Sequence, residues 1–352
     1  MPTGEAMGRT GDVPSTRATP AMTETQSVPD NAEIQAASTW VPELQTALGE
    51  VIVGQERLVE SLIIGLLTGG HLLLEGVPGL AKSLAVSCLA QGVQGSFNRL
   101  QFTPDLLPSD LVGTEIYNAK ESSFTVRQGP VFANFILADE INRAPAKVQS
   151  ALLEAMQERH VSIGGETFDL PNPFLVLATQ NPLEQEGTYP LPEAQLDRFA
   201  LKVVVGYPGR ENELTILERM GSTAPNTTMR EVVDLETIAR SRALINQIVL
   251  DPRLAQYIVS LVYATREPAQ SGLAELEGRV QYGASPRATI WLALTARAHA
   301  FLNGRGYATP ADIKAVAMQV LRHRVVPTYE AEAEGISADV LVQRVLETVP
   351  VP

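Results

Sequence analysis

The segment from His71 to Ser83 most strongly limits how this chain can fold. It reads HLLLEGVPGLAKS, so an apolar strand leads into a turn containing glycine and proline, and the turn leads into a helix at Lys82. A strand, a glycine-rich turn and a helix N-terminus in this order present backbone N–H groups that can surround phosphate oxygens. The segment therefore predicts a phosphate-binding loop within an α/β fold.

The residues of this loop have separate predicted roles. A triphosphate bound together with Mg²⁺ needs backbone amides, a cation and a hydroxyl group. We expect Lys82 to supply the positive charge and Ser83 to supply the hydroxyl that binds Mg²⁺. The residues predicted to form the amide-lined loop before them are Gly76, Val77, Pro78, Gly79, Leu80 and Ala81. An ordinary strand–turn–helix unit with a buried lysine stem is the alternative.

Ala81 departs from the usual pattern of such a loop, in which glycine precedes the lysine. A Cβ atom disfavours the left-handed backbone conformation, whereas glycine adopts it readily. We therefore expect Ala81 to keep a negative φ.

The composition narrows the class of protein. A length of 352 residues suggests two domains, or one large core with a satellite, and 45% apolar residues is typical of a globular protein. No apolar run approaches the length of a membrane span, and no apolar segment follows the two N-terminal arginines as it would in a secretory signal. The net charge of −13 argues against broad binding of nucleic acid. These features together predict a cytoplasmic protein.

The chain divides into three predicted parts. Residues 1–35 are rich in small and polar residues and predict a disordered tail, residues 36–206 alternate strands with helices, and residues 207–352 are helical. The predicted strands, most of them continuous apolar runs, are His71–Glu75, Phe97–Phe102, Phe135–Asp139, Phe174–Thr179 and Phe199–Val205. The predicted helices of the last part are Leu235–Gln247, Pro252–Arg266, Pro286–Asn303 and Pro310–Arg322, the last with Thr309 as its N-cap.

Two hairpins are predicted as insertions in the α/β part, at about residues 113–128 and 158–170. In the first, two short strands flank a polar turn at 118–123. In the second, they flank Gly164-Gly165-Glu166, which is a strong turn signal. Taken alone, each could be a simple edge hairpin.

Two acidic residues end the apolar strand Phe135–Asp139 and follow it directly. Open α/β sheets bind ligands at the carboxyl ends of their strands, so Asp139 and Glu140 are expected beside the phosphate-binding loop. Asp139 is suited to hold Mg²⁺ with Ser83, and Glu140 is suited to polarise an attacking water. A solvated strand end is the alternative.

Three further residues are candidates for the same chemistry. Asn181 follows the strand Phe174–Thr179 and could orient a water, although an Asn-Pro turn is an equally ordinary interpretation. Arg198 could serve a neighbouring subunit's phosphate site, or could form a salt bridge with a nearby acid. Arg287 opens a helix, where a cation opposes the helix dipole. A nucleotide phosphate held between the two domains, or a nearby carboxylate, could relieve that.

The order of these motifs resembles that of the AAA+ ATPases, and more narrowly of the MoxR family, over about residues 40–345. The most specific segments are EGVPGLAKS (75–83), QFTPDLLPSD (101–110), DEINRAP (139–145), ALLEAMQE (151–158) and LPEAQLDRF (191–199). The family's own version of the loop has alanine at the position of Ala81. The resemblance implies a five-stranded parallel-sheet P-loop core, a helical lid domain, and a ring, commonly a hexamer, with ATP between subunits.

The resemblance also implies roles for single residues. Lys82 and Ser83 match the Walker A motif, Asp139 and Glu140 match Walker B, and Asn181 matches sensor 1. Arg198 matches the arginine finger, Arg287 matches sensor 2, and Gly54 and Gln55 resemble the segment that borders the adenine. The two hairpins resemble the family's helix-2 and pre-sensor-1 inserts.

The family implies a chaperone that remodels or matures a protein complex, with a von Willebrand factor A-domain protein as partner and with insertion of a metal cofactor in some cases. Three alternatives stay open. The chain could be a nucleotide-gated assembly scaffold with little hydrolysis, a metal-chelatase motor subunit or a nucleic-acid motor. The acidic balance disfavours the last of these.

Overall fold

The structure is a computed structural model, and it describes residues 29–182, 187–224 and 227–352. Most of the predicted disordered tail lies outside these residues. Its last part does not, because residues 31–35 belong to the helix Asn31–Ala37, which Asp30 caps through its side chain. Ile34 of this helix is fully buried in the main hydrophobic cluster, so the prediction of disorder is wrong for residues 31–35.

Eleven strands occur in the described residues. They are β1 (Leu72–Glu75), β2 (Phe97–Gln101), β3 (Gly113–Asn118), β4 (Ser123–Gln128), β5 (Phe135–Asp139), β6 (His160–Ile163), β7 (Glu166–Asp169), β8 (Leu175–Gln180), β9 (Leu201–Val204), β10 (Val280–Tyr282) and β11 (Val326–Pro327).

Fourteen α-helices occur in the same residues. They are α1 (Asn31–Ala37), α2 (Trp40–Val51), α3 (Glu56–Thr68), α4 (Lys82–Gly92), α5 (Pro108–Val112), α6 (Ala146–Glu158), α7 (Glu193–Leu196), α8 (Arg210–Met220), α9 (Leu235–Ile245), α10 (Pro252–Arg266), α11 (Pro286–Leu302), α12 (Pro310–Leu321), α13 (Tyr329–Ala333) and α14 (Ala338–Thr348). No helix of the described residues is long and apolar enough to cross a membrane.

A five-stranded parallel sheet forms the centre of the α/β part, in the order β2-β5-β8-β1-β9. Strands β5 and β8 are buried almost throughout because helices cover both faces, which explains their continuous apolar sequences. Side chains alternate between two hydrophobic clusters: Leu72 and Leu74 of β1 belong to one cluster, and Leu73 belongs to the other. The predicted AAA+-type α/β core is thereby confirmed.

The two hairpins lie outside this sheet. Strands β3 and β4 pair antiparallel, as do β6 and β7, at the positions where turn signals predicted them. Gly164 and Gly165 have φ values of 61° and 88° at the second turn. Glycine suits this left-handed backbone, and the Glu115 carboxylate of the first hairpin lies against Gly164.

The helical lid packs onto the core through one continuous hydrophobic cluster, which includes residues of α2, α3 and α4 as well as of α10, α11, α12 and α14. Helix α12 begins with the predicted cap: Thr309 and Asp312 form a capping box, and Pro310 lies in the first turn. Helices α8, α13 and α14 were not among the predicted helices. The domain boundary at residues 206–207 stays a prediction.

Candidate functional site

The phosphate-binding loop lies at the carboxyl end of β1, and helix α4 begins at Lys82 as predicted. Ala81, however, is left-handed, with a φ of 56°, so the expectation of a negative φ is wrong. The turn from Gly79, whose φ is 85°, into α4 requires this conformation at the helix N-cap. Ala81 is exposed, so its Cβ meets no crowded surface, and the strain of about 1–2 kcal/mol is local.

Lys82 lies inside the curve of the loop. Its Nζ donates to the carbonyl oxygen of Gly76, and burial lowers the pKa of its ammonium group, against the opposing effect of Asp139 and Glu140. Among the described residues it forms no ion pair. Its charge is therefore available to an anion that enters the loop.

Asp139 ends β5 beside the loop and is nearly buried. The hydroxyl of Ser83 donates to Oδ2 of Asp139 at 3.4 Å, and the hydroxyl of Thr179 donates to Oδ1 at 2.6 Å. A hydroxyl and a carboxylate are hard oxygen ligands of the kind that Mg²⁺ prefers. Ser83 and Asp139 therefore fit the predicted metal site.

Glu140 follows Asp139 with a left-handed backbone, at a φ of 55°. Its N–H donates to the Thr179 hydroxyl at 2.8 Å, so this threonine holds both acidic residues. The Glu140 carboxylate accepts hydrogen bonds from Gln101 at 2.9 Å and from Arg143 at 3.3 Å. This strained backbone turns the acid away from the strand and toward the cavity in front of the loop.

Four residues that contact the acids were missed at the sequence level: Thr179, Gln101, Arg99 and Arg143. The Nε and Nη2 atoms of Arg99 both donate to Oδ2 of Asp139, at 3.1 and 2.6 Å. The signal was present, since β2 and β5 are both strand predictions and their pairing places Gln101 opposite Asp139.

A cavity of 540 Å³ joins these groups, and we call it the loop cavity. The predicted site residues that line it are Gln55, Pro78, Gly79, Leu80, Ala81, Lys82, Ser83, Asp139, Glu140 and Asn181. Its other end is apolar and is lined by Val51, Val53, Pro208, Ile216 and Met220. A cavity with a phosphate loop at one end and an apolar slot at the other has the shape of a nucleotide site.

Three predicted nucleotide-binding residues, Gly54, Gly76 and Val77, are not in the lining of the loop cavity. Gly76 contributes the carbonyl that holds Lys82, and a Cβ there would meet the Val205 backbone oxygen at 2.5 Å. Val77 packs against the main hydrophobic cluster. Gly54, at a φ of 71°, lies against the Asn212 side chain and lines a neighbouring cavity.

Arg198 and Arg287 line a second cavity, of 280 Å³, together with Arg159, and we call it the arginine cavity. Arg198 donates to the Leu153 carbonyl oxygen at 2.9 Å, and within the described residues it forms no ion pair, so the salt-bridge alternative is not observed. Among the described residues no carboxylate lines this cavity.

Arg287 does not reach the loop cavity of its own chain, contrary to the expectation of a phosphate held between the domains. Its Nη1 atom lies 3.5 Å from Oδ2 of Asp197, so the alternative of a nearby carboxylate is the one observed. Ser285, the N-cap of α11, also donates to Asp197 at 2.8 Å, so the start of the helix that carries Arg287 is held at this carboxylate.

Arg324 completes this junction between core and lid. It is buried, and its Nε donates to Oδ1 of Asp197 at 2.8 Å, while other N–H groups donate to the carbonyls of Asp197 and Phe199. Burial lowers the pKa of Arg324 to about 10, and Asp197 opposes that shift. The junction thereby sets the position of Arg198 and Arg287 relative to each other.

The comparisons with known proteins agree with this geometry. Residues 71–201 match the ATPase family associated with various cellular activities (AAA), and residues 275–345 match the AAA lid domain. The chain is 51% identical to "Chaperone MoxR1" of Mycobacterium tuberculosis over 93% of this chain and 86% of that protein. The chain belongs to the MoxR family of AAA+ ATPases.

Two other matches span nearly the same region of this MoxR-family chain. "Protein MoxR" of Methylorubrum extorquens is 34% identical over 87% of this chain and 93% of its own length. A crystal structure of a proposed ATPase from Cytophaga hutchinsonii superposes with a TM-score of 0.86 at 51% identity, covering 91% of this chain and 98% of that one. The α/β core and the lid are thus features that this chain shares with its relatives.

Proposed function

We propose that this chain hydrolyses ATP with Mg²⁺ at sites formed between neighbouring copies in a ring, commonly a hexamer in the resembling family. The observation that carries the proposal is the separation of the charged groups. Lys82, Ser83, Asp139 and Glu140 line the loop cavity, whereas Arg198 lines the arginine cavity of the same chain. An arginine that stabilises the transferring phosphoryl group must then come from another copy.

The residues of the loop cavity have these proposed roles. The loop amides and Lys82 bind the phosphates, and the apolar slot with Gln55 receives the adenine. Ser83 and Asp139 hold Mg²⁺, which neutralises charge on the β- and γ-phosphates when bound. Glu140 orients and deprotonates the attacking water, and Asn181, a neutral amide at the same cavity, helps to place it.

The arginine cavity has a complementary proposed role. Positive charge that stabilises the developing phosphoryl group accelerates transfer by a factor of about 10³–10⁵. Arg198 supplies this charge to the neighbour's nucleotide, and Arg287 lies close enough to Arg198 to contact the same phosphates. The contact between Arg287 and Asp197 is long, at 3.5 Å, and is therefore weak enough to be exchanged for a phosphate.

The protein is proposed to act in the cytoplasm as a chaperone that remodels or matures a protein complex with a von Willebrand factor A-domain partner. The name of the mycobacterial relative supports the chaperone role. The first hairpin supports a client contact, because the rings of Tyr117 and Phe124 are in contact, with their centroids 5.2 Å apart, and both are exposed. Exposed paired aromatics are typical of interaction surfaces.

Mixing two inactive variants tests the shared site. Lys82→Ala removes the loop cation and Arg198→Ala removes the proposed finger, so we expect neither variant to hydrolyse ATP alone. When they are mixed, some interfaces combine an intact loop from the second variant with an intact arginine from the first. Steady-state hydrolysis should then reappear in the mixture. Activity in Arg198→Ala alone, or none in the unmodified protein, contradicts the proposal, and the latter result supports the scaffold alternative.

A further inference from the structure

We propose that Arg99 is a positioning residue that competes with Mg²⁺ for the Asp139 carboxylate. Arg99 would thereby set the metal concentration at which nucleotide binds tightly. The inference rests on the proposed function, because the ligand is a nucleotide bound with a divalent cation.

The position of Arg99 follows from strand pairing. Strand β2 runs parallel to β5, with Gln101 opposite Asp139, and Arg99 precedes Gln101 by two residues on the same face of β2. The guanidinium reaches along this face to Oδ2 of Asp139 with two donors, at 3.1 and 2.6 Å. The same oxygen accepts the Ser83 hydroxyl at 3.4 Å.

The Asp139 carboxylate is fully used in this arrangement. A carboxylate oxygen offers about two lone-pair sites, and Oδ2 already meets both Arg99 and Ser83. Oδ1 accepts the buried hydroxyl of Thr179 at 2.6 Å and is turned into the sheet. Oδ2 is therefore the oxygen that faces Ser83, and a cation shared by Ser83 and Asp139 has to share it with Arg99 or displace Arg99.

Displacement of Arg99 is feasible for two reasons. Its side chain is more than half exposed, so the ion pair is screened by solvent and contributes little stability. A second acceptor is also at hand, because Nη2 of Arg99 lies 3.4 Å from Oε1 of Gln101 on the same strand face. The guanidinium can therefore leave Asp139 without losing every partner.

A magnesium titration tests this inference. The full-length protein is mixed with a fluorescent, non-hydrolysable ATP analogue, and anisotropy is followed as Mg²⁺ is added. We expect Arg99→Gln to lower the Mg²⁺ concentration at half-maximal binding by about threefold or more, the effect of one exposed ion pair. Arg99→Lys, which keeps the charge but loses the two-donor contact, should shift the midpoint in the same direction by less.

Arg143→Gln is the matched control. It removes the same charge from the same sheet edge, but its side chain contacts Glu140 at 3.3 Å instead of Asp139. We expect a clearly smaller shift of the midpoint than in Arg99→Gln. An equal shift in both variants, or an unchanged or raised midpoint in Arg99→Gln, overturns the inference while leaving the proposed function intact. If the unmodified protein binds no nucleotide at any Mg²⁺ concentration, the proposed function fails as well.

Discussion

At the sheet edge beside the loop cavity each carboxylate lies next to a cation, whereas the arginine cavity collects cations without a carboxylate in its described lining. The pairs at the sheet edge are Glu75 with Lys202, Asp139 with Arg99, and Glu140 with Arg143. Within the part of the chain that the structure describes, the one hydrogen-bond partner of Lys82 is the carbonyl oxygen of Gly76. The arginine cavity contains Arg159, Arg198 and Arg287, and Asp197 partly balances the last of them from behind.

This difference supports the proposal that neither cavity alone completes a phosphate site. The loop cavity offers amides and a metal site, but little net positive charge. The arginine cavity offers charge, but no loop to orient a phosphate chain. A polyphosphate between them would satisfy both, which is why the comparison favours a site formed by two copies of the chain.

The largest expected effect on hydrolysis follows from removal of Arg198, the proposed arginine finger. Arg198→Ala is expected to lower kcat by a factor of about 10³–10⁵, because charge on the transferring group is then unscreened. Nucleotide affinity should change little, since Arg198 lies outside the loop cavity. Steady-state hydrolysis and equilibrium binding measure the two effects. Arg253→Ala, which removes an exposed lid arginine, is the control, and undiminished turnover in Arg198→Ala contradicts the prediction.

Glu140→Gln tests the other cavity. The amide keeps the shape of the side chain but cannot accept the proton of the attacking water, so kcat should fall by about 10²–10⁴. Bound ATP should persist and be recovered unhydrolysed after gel filtration. Turnover at the parent rate would show that Glu140 is not the base. Glu236→Gln is a suitable control, because Glu236 is an exposed lid carboxylate that pairs with Arg240 and lines neither the loop cavity nor the arginine cavity.

Asp197→Ala tests how much the junction behind the arginine cavity contributes to the stability of the fold. The substitution leaves Arg324 buried without its carboxylate, which costs about 3–5 kcal/mol in unfolding free energy. Urea unfolding measures this loss. Glu236→Ala breaks an exposed pair with Arg240 and should lower the free energy of unfolding much less. Equal losses in the two variants would mean that the buried junction is not a major source of stability.

The smallest expected effect is a pH dependence of the free energy of unfolding, which involves a histidine outside the lining of both cavities. His299 of α11 donates to Asp312 at 2.6 Å and lies 3.1 Å from Glu60 of α3, and these hydrogen bonds raise its pKa to about 9. Because the folded pKa lies above the unfolded value, the stabilisation is complete below about pH 6.5 and is lost as pH rises through about 9. Its size is at most about 3 kcal/mol.

The measurement is urea unfolding at several pH values between 6 and 10. His299→Gln should remove this part of the pH dependence, whereas replacement of the half-buried His160 by Gln should keep it. The same slope in the parent and in His299→Gln would contradict the assignment. Binding at the loop cavity should be unaffected by either change, because both histidines lie outside its lining.

The parts of the fold with repeated, local signals were predictable. Strand β5 and helix α10 have the predicted bounds, because a buried strand reads as an apolar run and a helix with Asp251 as N-cap has a clear start. Helix α14 was predictable too, since Ser337 caps it and Leu341, Val342 and Val345 follow helical spacing, but the pattern was not used.

The site was predictable where its residues follow one another in the chain. The loop and the acids lie where strand order predicts, whereas the contacts of Arg99 and Gln101 with the acids depend on the register between β2 and β5. Which carboxylate lies beside Arg287 was not predictable, because it depends on how the start of α11 packs on the core, where Ser285 and Arg324 both meet Asp197. Sequence spacing alone does not contain that packing.

The shared apolar interior of α2–α4 and the lid also bears on how movement could arise. A large hinge opening inside one copy would expose many of these buried side chains to water, at a cost that scales with the apolar area. We therefore expect core and lid of each copy to move together as a rigid body. The movement in each nucleotide cycle would then occur at the interfaces between neighbouring copies.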